Sequence, residues 1–293
     1  MAKDAKSAFC EDSRVKFPTL MHLMGMGFKY VSLKGLKTKY VEAPKTEFDP
    51  LTNILTDYFI DAYCTLNPKA EKKDAEDMLV KIQKSLQNDD LGRQFYNEIL
   101  LNTGERIIDL SSPVNFYKNN TFQVATEMTC GSKDSDNYRP DITIFVNGLP
   151  LAFIEVKKEN NHKGIQAETD RMKQRFVNPQ YRRFLNITQI MVFSNDMEYD
   201  NNEVAPTIGA FYATIGKKNT KYNCFREEGQ DSFPTARHIH QVTPEEEEVL
   251  LRDNNVPQYK NSSEYKTNCL ANTPTKRICD SLFSFNRFHF LLK

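Results

Sequence analysis

The sequence predicts an α/β fold with a central mixed β-sheet flanked by helices. Apolar residues recur at helical spacing through much of the first hundred residues. From residue 106 onward, short runs rich in β-branched and aromatic residues replace that pattern, and a basic helical stretch interrupts them at 163–177. Helical and strand patterns that follow one another in this way are typical of a sheet with helices packed on its faces.

Helices are predicted over four stretches before the first strand. The first covers 8–26, and the second covers 49–64 with Pro50 in its first turn, a position that suits proline. The third and fourth, over 70–87 and 91–101, carry apolar residues at intervals of three and four. This spacing places the apolar residues on one helical face.

Strands are predicted where short apolar runs are bounded by turn residues. These runs cover 106–112, 121–129, 140–146, 151–157, 187–196 and 208–216. The basic helical stretch lies between the fourth run and the fifth, so we expect one helix to separate the two groups of strands.

The C-terminal stretch differs from the rest in composition. Residues 241–274 contain an acidic run, prolines and other polar residues, which predict a linker with room for one short helix. Residues 275–293 are helical in pattern and rich in aromatic residues. We therefore predict one domain over 1–240 and a separate segment over 241–293.

Composition narrows the functional classes. The chain has 39 basic and 39 acidic residues, so it is not a basic nucleic-acid coat protein and any DNA contact must be local. No apolar run is long enough for a membrane span, and the N-terminus lacks a hydrophobic export segment. The six cysteines are scattered, which predicts reduced thiols in the cytoplasm rather than a zinc site.

Candidate chemistry is concentrated in a predicted hairpin. An Asn-Gly pair, a strong signal for a tight turn, separates the runs at 140–146 and 151–157. Folding the chain back brings Asp141 opposite residues 154–156. A three-residue loop sets Asp141 and Glu155 on the same face, whereas a two- or four-residue loop does so only with a bulge. The sequence leaves both solutions open.

Asp141, Glu155 and Lys157 would then meet at one end of a mostly apolar sheet. Two close carboxylates repel each other, and a divalent cation removes the conflict. Mg²⁺ accepts a few carboxylate oxygens and keeps water molecules, one of which can become a nucleophile. The lysine would stabilise charge on a phosphate beside that water. The pattern favours phosphodiester hydrolysis; the alternative is a salt-bridged hairpin end from which Lys157 reaches solvent.

The stretch RPDITIFVNGLPLAFIEVKK (139–158) resembles the nuclease motif of the R subunit of type I restriction–modification enzymes. In that family an RPD strand, an NGLPL turn and an E-x-K strand form a PD-(D/E)xK nuclease at the N-terminus. The likeness extends over about residues 10–240. It implies a restriction-endonuclease-like core, with Asp141 and Glu155 as Mg²⁺ ligands and Lys157 as the catalytic lysine.

The resemblance implies a Mg²⁺-dependent endonuclease that cleaves double-stranded DNA and works with modification and specificity subunits. In the intact enzyme, cleavage would depend on ATP-driven translocation. The chain contains no GxxxxGK[ST] motif, so we expect ATP only in a motor region outside it, with 241–293 as the truncated start of that region. Two alternatives remain: a non-catalytic DNA-binding or assembly module with a nuclease-like fold, and a stand-alone defence nuclease.

The helix after the lysine departs from the family pattern. Family members often carry Gln-x-x-x-Tyr there, and the nearest counterpart in this sequence is Glu168-x-x-x-Met172. Arg171 and Arg175 lie four residues apart, on one face of the helix, and could hold a DNA phosphate. We expect Lys158 to be a further phosphate contact.

Four other residues are weaker candidates. Glu11, on the first helix, is a candidate extra acid beside the metal, with a solvated helix position as the alternative. Asp109 interrupts an apolar run and would either support a metal ligand or form hydrogen bonds at a strand end. Lys217 and Lys218 lie in a turn between strands, where they would be solvated or would contact DNA or the motor region.

Overall fold

The computed structural model of the chain describes most of its residues. The described ranges are 10–35, 41–42, 48–102, 104–130, 138–158, 164–198, 202–204, 206–214, 221–225 and 239–283. Lys217, Lys218 and the predicted helical stretch after residue 283 lie outside these ranges, so what we expect of them stays a prediction.

A mixed eight-stranded sheet lies at the centre of the molecule. Its strands are β1 (Lys29–Val31), β2 (Val41–Glu42), β3 (Phe122–Thr126), β4 (Ile142–Val146), β5 (Leu149–Val156), β6 (Ile190–Ser194), β7 (Ala210–Thr214) and β8 (Asn223–Cys224). Their spatial order is β2-β1-β3-β4-β5-β6-β7-β8. Because β5 runs antiparallel to β4 and parallel to β6, the predicted α/β fold with a mixed sheet is confirmed.

Helices pack around this sheet. They are α1 (Phe17–Gly25), α2 (Thr56–Leu66), α3 (Lys72–Ser85), α4 (Pro113–Asn119), α5 (Gly164–Val177), α6 (Arg182–Ile187), α7 (Pro244–Asp253), α8 (Ser263–Leu270) and α9 (Pro274–Leu282). Short π-helical segments occur at Asp12–Lys16 and Phe95–Leu100, and 3₁₀ turns at Pro179–Tyr181 and Pro257–Asn261. Within the described ranges, no helix has both the length and the apolar character needed to cross a lipid bilayer.

The central strands are buried on both faces, and alternate residues enter two different clusters. In β5, Ile154 packs in the larger cluster with residues of α1, α2 and α3. Its neighbour Phe153 packs on the other face with Met172 of α5 and Phe184 of α6. Glu155 has the same parity as Phe153 and therefore lies on the α5 side of the sheet.

The predicted hairpin joins β4 to β5 through a two-residue turn. Val146 pairs with Leu149, and Asn147 and Gly148 have φ values of 53° and 75°, as a type I′ turn requires. A Cβ atom on Gly148 would lie 2.6 Å from the carbonyl oxygen of Leu55. The positive φ and this close approach together explain why glycine follows Asn147.

A bulge in β5 sets the register of the hairpin. The pairing shifts by one residue between Phe145 and Ile144, so that Leu151 has no partner of its own. Beyond the bulge, the register places Asp141 opposite Glu155 and on the same face. Of the two solutions that the sequence leaves open, the molecule has the short turn combined with a bulge.

The second helix begins later than predicted. The Asp49 side chain closes a turn, since its Oδ1 accepts a hydrogen bond from the backbone N of Leu51 at 3.0 Å. Asn53 has a φ of 58°, which a continuous helix does not permit, and α2 begins only at Thr56. The prediction of a helix over 49–64 is therefore wrong at its N-terminal end.

The strand predicted at 106–112 does not form. The backbone N of Asp109 donates to Asn120 Oδ1 at 2.9 Å, and the backbone N of Ser111 donates to Asp109 Oδ1 at 2.9 Å. Side chains thus take the backbone groups that a neighbouring strand would otherwise bind. This segment forms turns that lead directly into α4.

The expectation of one short helix within 241–274 is also wrong. This stretch contains α7, a 3₁₀ turn and α8, and it reaches the start of α9. Tyr259 and Tyr265 are fully buried in the same cluster as α1. The side chains of Thr243 and Ser262 cap α7 and α8, so the polar composition reflects helix caps rather than a linker. That 241–293 begins a motor region stays a prediction.

Candidate active site

Three residues at one end of the hairpin converge. Asp141 directly precedes β4, Glu155 is the penultimate residue of β5, and Lys157 directly follows β5. The Lys157 Nζ atom lies 3.6 Å from Asp141 Oδ2 and 4.0 Å from Glu155 Oε2. Asp141 Oδ2 also accepts a hydrogen bond from the backbone N of Val156 at 2.9 Å. The two strands therefore hold both carboxylates beside one ammonium group.

The Lys157 ammonium lies among four oxygen atoms from three parts of the chain. Besides Asp141 and Glu155, it contacts the carbonyl oxygen of Val156 at 2.6 Å and Glu11 Oε1 at 3.5 Å. Carboxylate and carbonyl oxygens are the ligands that Mg²⁺ prefers. The surroundings of this ammonium thus have the donor chemistry of a divalent-cation site.

The nearby cations do not fully offset the burial and mutual repulsion of the acidic groups in the site. Burial, together with the nearby Asp141 and Glu168 carboxylates, raises the pKa of Glu155 to about 8, although Arg175 and Lys157 oppose the shift. Burial alone would lower the pKa of Lys157, but the surrounding carboxylates outweigh it and raise that pKa. The lysine is therefore protonated at neutral pH, and the acids have room for more positive charge.

The carboxylates alone do not form a complete metal cage. Within the described ranges, no three His, Cys, Asp or Glu side chains lie close enough together to hold a metal ion by themselves. Asp141 and Glu155 with the carbonyl oxygen of Val156 would be a sparse set of ligands. Mg²⁺ fits such a set, because it is usually bound through one or two carboxylates and keeps several water molecules.

Glu11 belongs to this cluster. It lies just before the π-helical segment that leads into α1, and burial raises its pKa even though Lys157 is close. The neighbouring residues are held by the C-terminal helices: Cys10 Sγ lies 2.7 Å from Tyr259 Oη, and Arg14 Nε donates to Glu264 Oε1 at 2.6 Å. The Glu11 side chain is 27% exposed, and its role as an extra acid beside a metal stays a prediction.

Asp109 lies elsewhere. Its backbone bonds to Asn120, whose Oδ1 also accepts a hydrogen bond from Asn147 in the hairpin turn at 2.8 Å. Asp109 is thus linked to the end of the hairpin opposite Glu155, and the idea that it supports a metal ligand is wrong. Its hydrogen-bonding alternative fits the structure.

The basic residues of α5 divide into two kinds. Arg171 is exposed, although its Nη1 pairs with Glu168 Oε2 at 3.1 Å. Arg175 is 17% exposed, and its Nη1 lies 2.9 Å from Glu168 Oε1 and 3.4 Å from Glu155 Oε1. Arg175 is therefore occupied inside the protein, and the prediction that it holds a DNA phosphate is wrong. Glu168, a weak candidate in the sequence, is fully buried beside the site.

Sequence reasoning missed two residues near the site. Arg139, just before the first strand of the hairpin, is exposed, as is Lys158. Tyr138 is buried, and the Cζ atom of Arg175 lies 3.7 Å from the centre of its ring. Arg139 belongs to the RPD motif, and its position two residues before Asp141 is the signal that could have identified it. No feature of the sequence indicates that Tyr138 lies against Arg175.

The chain is similar in sequence to known proteins. Residues 9–201 match the family model described as the type I restriction enzyme R protein N terminus. The chain is also 28% identical over 208 residues to a protein of Methanocaldococcus jannaschii provisionally named the MjaIXP endonuclease subunit of a type I restriction enzyme. That match covers 64% of this chain and 19% of the relative, so the chain spans about a fifth of the relative's length.

Proposed function

The chain belongs to the family of type I restriction enzyme R protein N termini, and from this membership we propose that it is a Mg²⁺-dependent endonuclease domain. Its reaction would be the hydrolysis of phosphodiester bonds in double-stranded DNA. The observation that carries the proposal is the ring of four oxygens, from Glu11, Asp141, Glu155 and Val156, around the Lys157 ammonium.

The residues of the site would have separate tasks. Asp141 and Glu155 would hold Mg²⁺, with the carbonyl of Val156 as a further ligand. The ion, when bound, would polarise the phosphate and lower the pKa of a water molecule. The Lys157 ammonium lies 3.6 Å from Asp141 Oδ2, where it would stabilise negative charge on the phosphate. Glu11 would add negative charge near the ion.

DNA would approach along the end of the sheet where these residues lie. Arg139 and Lys158 flank the two strands of the hairpin there, and both side chains are exposed. Arg171 on α5 is exposed as well. Exposed Lys and Arg residues are the usual contacts to DNA phosphates, which supports a backbone-binding role for these three.

In the intact enzyme, we expect cleavage to depend on ATP-driven translocation by a motor region of the same subunit. Modification and specificity subunits would be its partners, and the complex would act in the cytoplasm. The short span of the curated relative that this chain covers is compatible with a role as one part of a longer subunit. ATP would bind to that motor region and not to the site described above.

The test replaces site residues in the full-length subunit, assembled with its partners. We expect Glu155→Ala and Lys157→Ala each to abolish plasmid linearisation while ATP hydrolysis and translocation persist, because the motor uses a different site. Glu76→Gln, at an exposed position on α3, is the matched control and should cut normally. Cleavage that survives in Glu155→Ala would overturn the proposal. Equal loss of cleavage and ATP hydrolysis would instead favour the non-catalytic assembly module.

A further inference from the structure

The guanidinium of Arg175 lies between two buried carboxylates on the α5 side of the sheet. Its Nη1 atom is 2.9 Å from Glu168 Oε1 and 3.4 Å from Glu155 Oε1. Glu168 is fully buried and Glu155 is 4% exposed. An arginine in such a place does not serve a ligand in solvent, so its task lies inside the protein.

The contact with Arg175 makes the two oxygens of Glu155 different. Oε1 faces the guanidinium on α5, whereas Oε2 faces the Lys157 ammonium at 4.0 Å, on the side of Asp141. A carboxylate at the end of a flexible side chain can rotate about its last torsion. The ion pair between Oε1 and Arg175 opposes that rotation. Oε2 therefore stays on the side of Asp141 and Lys157.

Arg175 itself is anchored independently of Glu155. Glu168 lies seven residues earlier, and two helical turns place both on the same face of α5. On its other side, the Cζ atom of Arg175 lies 3.7 Å from the centre of the Tyr138 ring, a distance at which the cation and the ring attract each other. Met172 Sδ lies 3.4 Å from Nη1 as well. These contacts fix the guanidinium without any contribution from Glu155.

We infer that Arg175 is a positioning residue: held by Glu168 and by the Tyr138 ring, it fixes Glu155 Oε1 so that Oε2 is presented to a divalent cation. The inference rests on the proposed function, since it concerns how the proposed metal ligand is oriented. Groups that orient a metal ligand typically change metal affinity by about 10–100-fold when they are removed. Helix α5 would thus contribute to metal binding without any residue that touches the ion.

The experiment measures Mn²⁺ binding to the full 293-residue chain by electron paramagnetic resonance, which reports free Mn²⁺. We expect Arg175→Met to weaken binding by about tenfold or more, and Arg175→Lys to recover part of the loss because its ammonium can again pair with Glu155 Oε1. Lys173→Met is the matched control: Lys173 is exposed on the same helix and pairs with Asp170. It should bind Mn²⁺ as the wild type does.

A second pair of variants separates positioning from a general structural effect. If Arg175 acts through Glu155, Arg175→Met should weaken Mn²⁺ binding strongly in the wild-type background and no further in Glu155→Gln. Equal losses in both backgrounds would overturn the inference. Should Arg175→Met fail to fold, as judged by thermal unfolding, Glu168→Gln keeps the shape of the side chain and tests the same anchor; unchanged binding there and in Arg175→Lys would also overturn it.

Failure of the inference can be told from failure of the proposed function. If the wild-type chain binds Mn²⁺, Glu155→Gln binds it measurably more weakly, and Arg175→Met binds as tightly as the wild type, then only the inference falls. If the wild-type chain binds no Mn²⁺, or Glu155→Gln binds it unchanged, the proposed function falls and the inference falls with it.

Discussion

At the residue scale, the main feature of the site is that its acidic side chains outnumber the cationic side chains beside them. The Lys157 ammonium faces Glu11, Asp141 and Glu155, and Arg175 reaches the same glutamate from α5. Even so, the pKa of Glu155 is raised to about 8, with burial as the largest cause. The nearby cations thus offset the acids of the site only in part, and a divalent cation would supply the missing positive charge.

Asp109 gives a prediction about pH. Burial raises its pKa, but hydrogen bonds from Ser111 and Asn119 outweigh burial and leave the pKa lowered. Its contribution to stability is therefore present above the unfolded pKa of about 3.9 and disappears as the pH falls through the folded pKa. We expect Asp109→Asn to lower the free energy of unfolding by about 1–3 kcal/mol at pH 7, with a smaller difference in acid. Urea unfolding at both pH values measures this, and a difference independent of pH would contradict it.

Tyr138 gives a prediction about the ring beneath Arg175. Its hydroxyl is buried without a hydrogen-bond partner among the described residues, so Tyr138→Phe keeps the ring, removes an unsatisfied group and should leave stability unchanged or raise it. Tyr138→Leu removes the ring and should cost about 2 kcal/mol or more, since a desolvated cation–ring contact and packing are both lost. Thermal unfolding of the two variants is the comparison. Equal destabilisation by both would show that the hydroxyl, and not the ring, matters.

At the element scale, the hairpin shows what local patterns determine. The Asn-Gly pair and the apolar runs of β4 and β5 suffice to predict the turn and to bring Asp141 near Glu155. The bulge at Leu151 is not predictable, because a leucine in a bulge and a leucine in a regular strand give the same apolar pattern. The helix start near Asp49 fails for a related reason, since side-chain hydrogen bonds compete with helix formation only when the turn is in place.

The turn provides a prediction with an internal control. Gly148 has a φ of 75°, and an added Cβ would lie 2.6 Å from the carbonyl oxygen of Leu55. Gly35 has a φ of 77°, but no atom of the described residues lies within 4 Å of an added Cβ. Gly35→Ala should cost only the strain of positive φ, about 1–2 kcal/mol, while Gly148→Ala should cost clearly more because backbone must move. Chemical unfolding of both variants decides this; equal losses would mean that the close approach is relieved easily.

At the scale of the whole molecule, the sequence predicts the sheet and its flanking helices. It does not predict which residues of a helix face which residues of the sheet. The mixed sheet, the flanking helices and the convergence of the hairpin residues all follow from periodicity and turn signals. The pairing of Arg175 with Glu155 does not, because helical spacing gives a face of α5 but not the strand residue beneath it. The polar helix caps of residues 241–274 predict a linker, and only contacts such as that of Cys10 with Tyr259 show that this stretch packs against the rest.

Charge at this scale leads to the last prediction. The chain has no net charge, so any affinity for DNA must come from local cations and should be modest and sensitive to salt. Arg139 and Lys158 are exposed beside the site. If each contacts one phosphate, Arg139→Gln and Lys158→Gln should each weaken binding to duplex DNA and reduce the slope of log K against log salt by about 0.9. Fluorescence anisotropy in EDTA measures the slope without cleavage. Lys72→Gln, whose side chain is 74% exposed on α3, is the control. Slopes that stay at the wild-type value in both site variants, or fall equally in the control, would place the DNA elsewhere on the molecule.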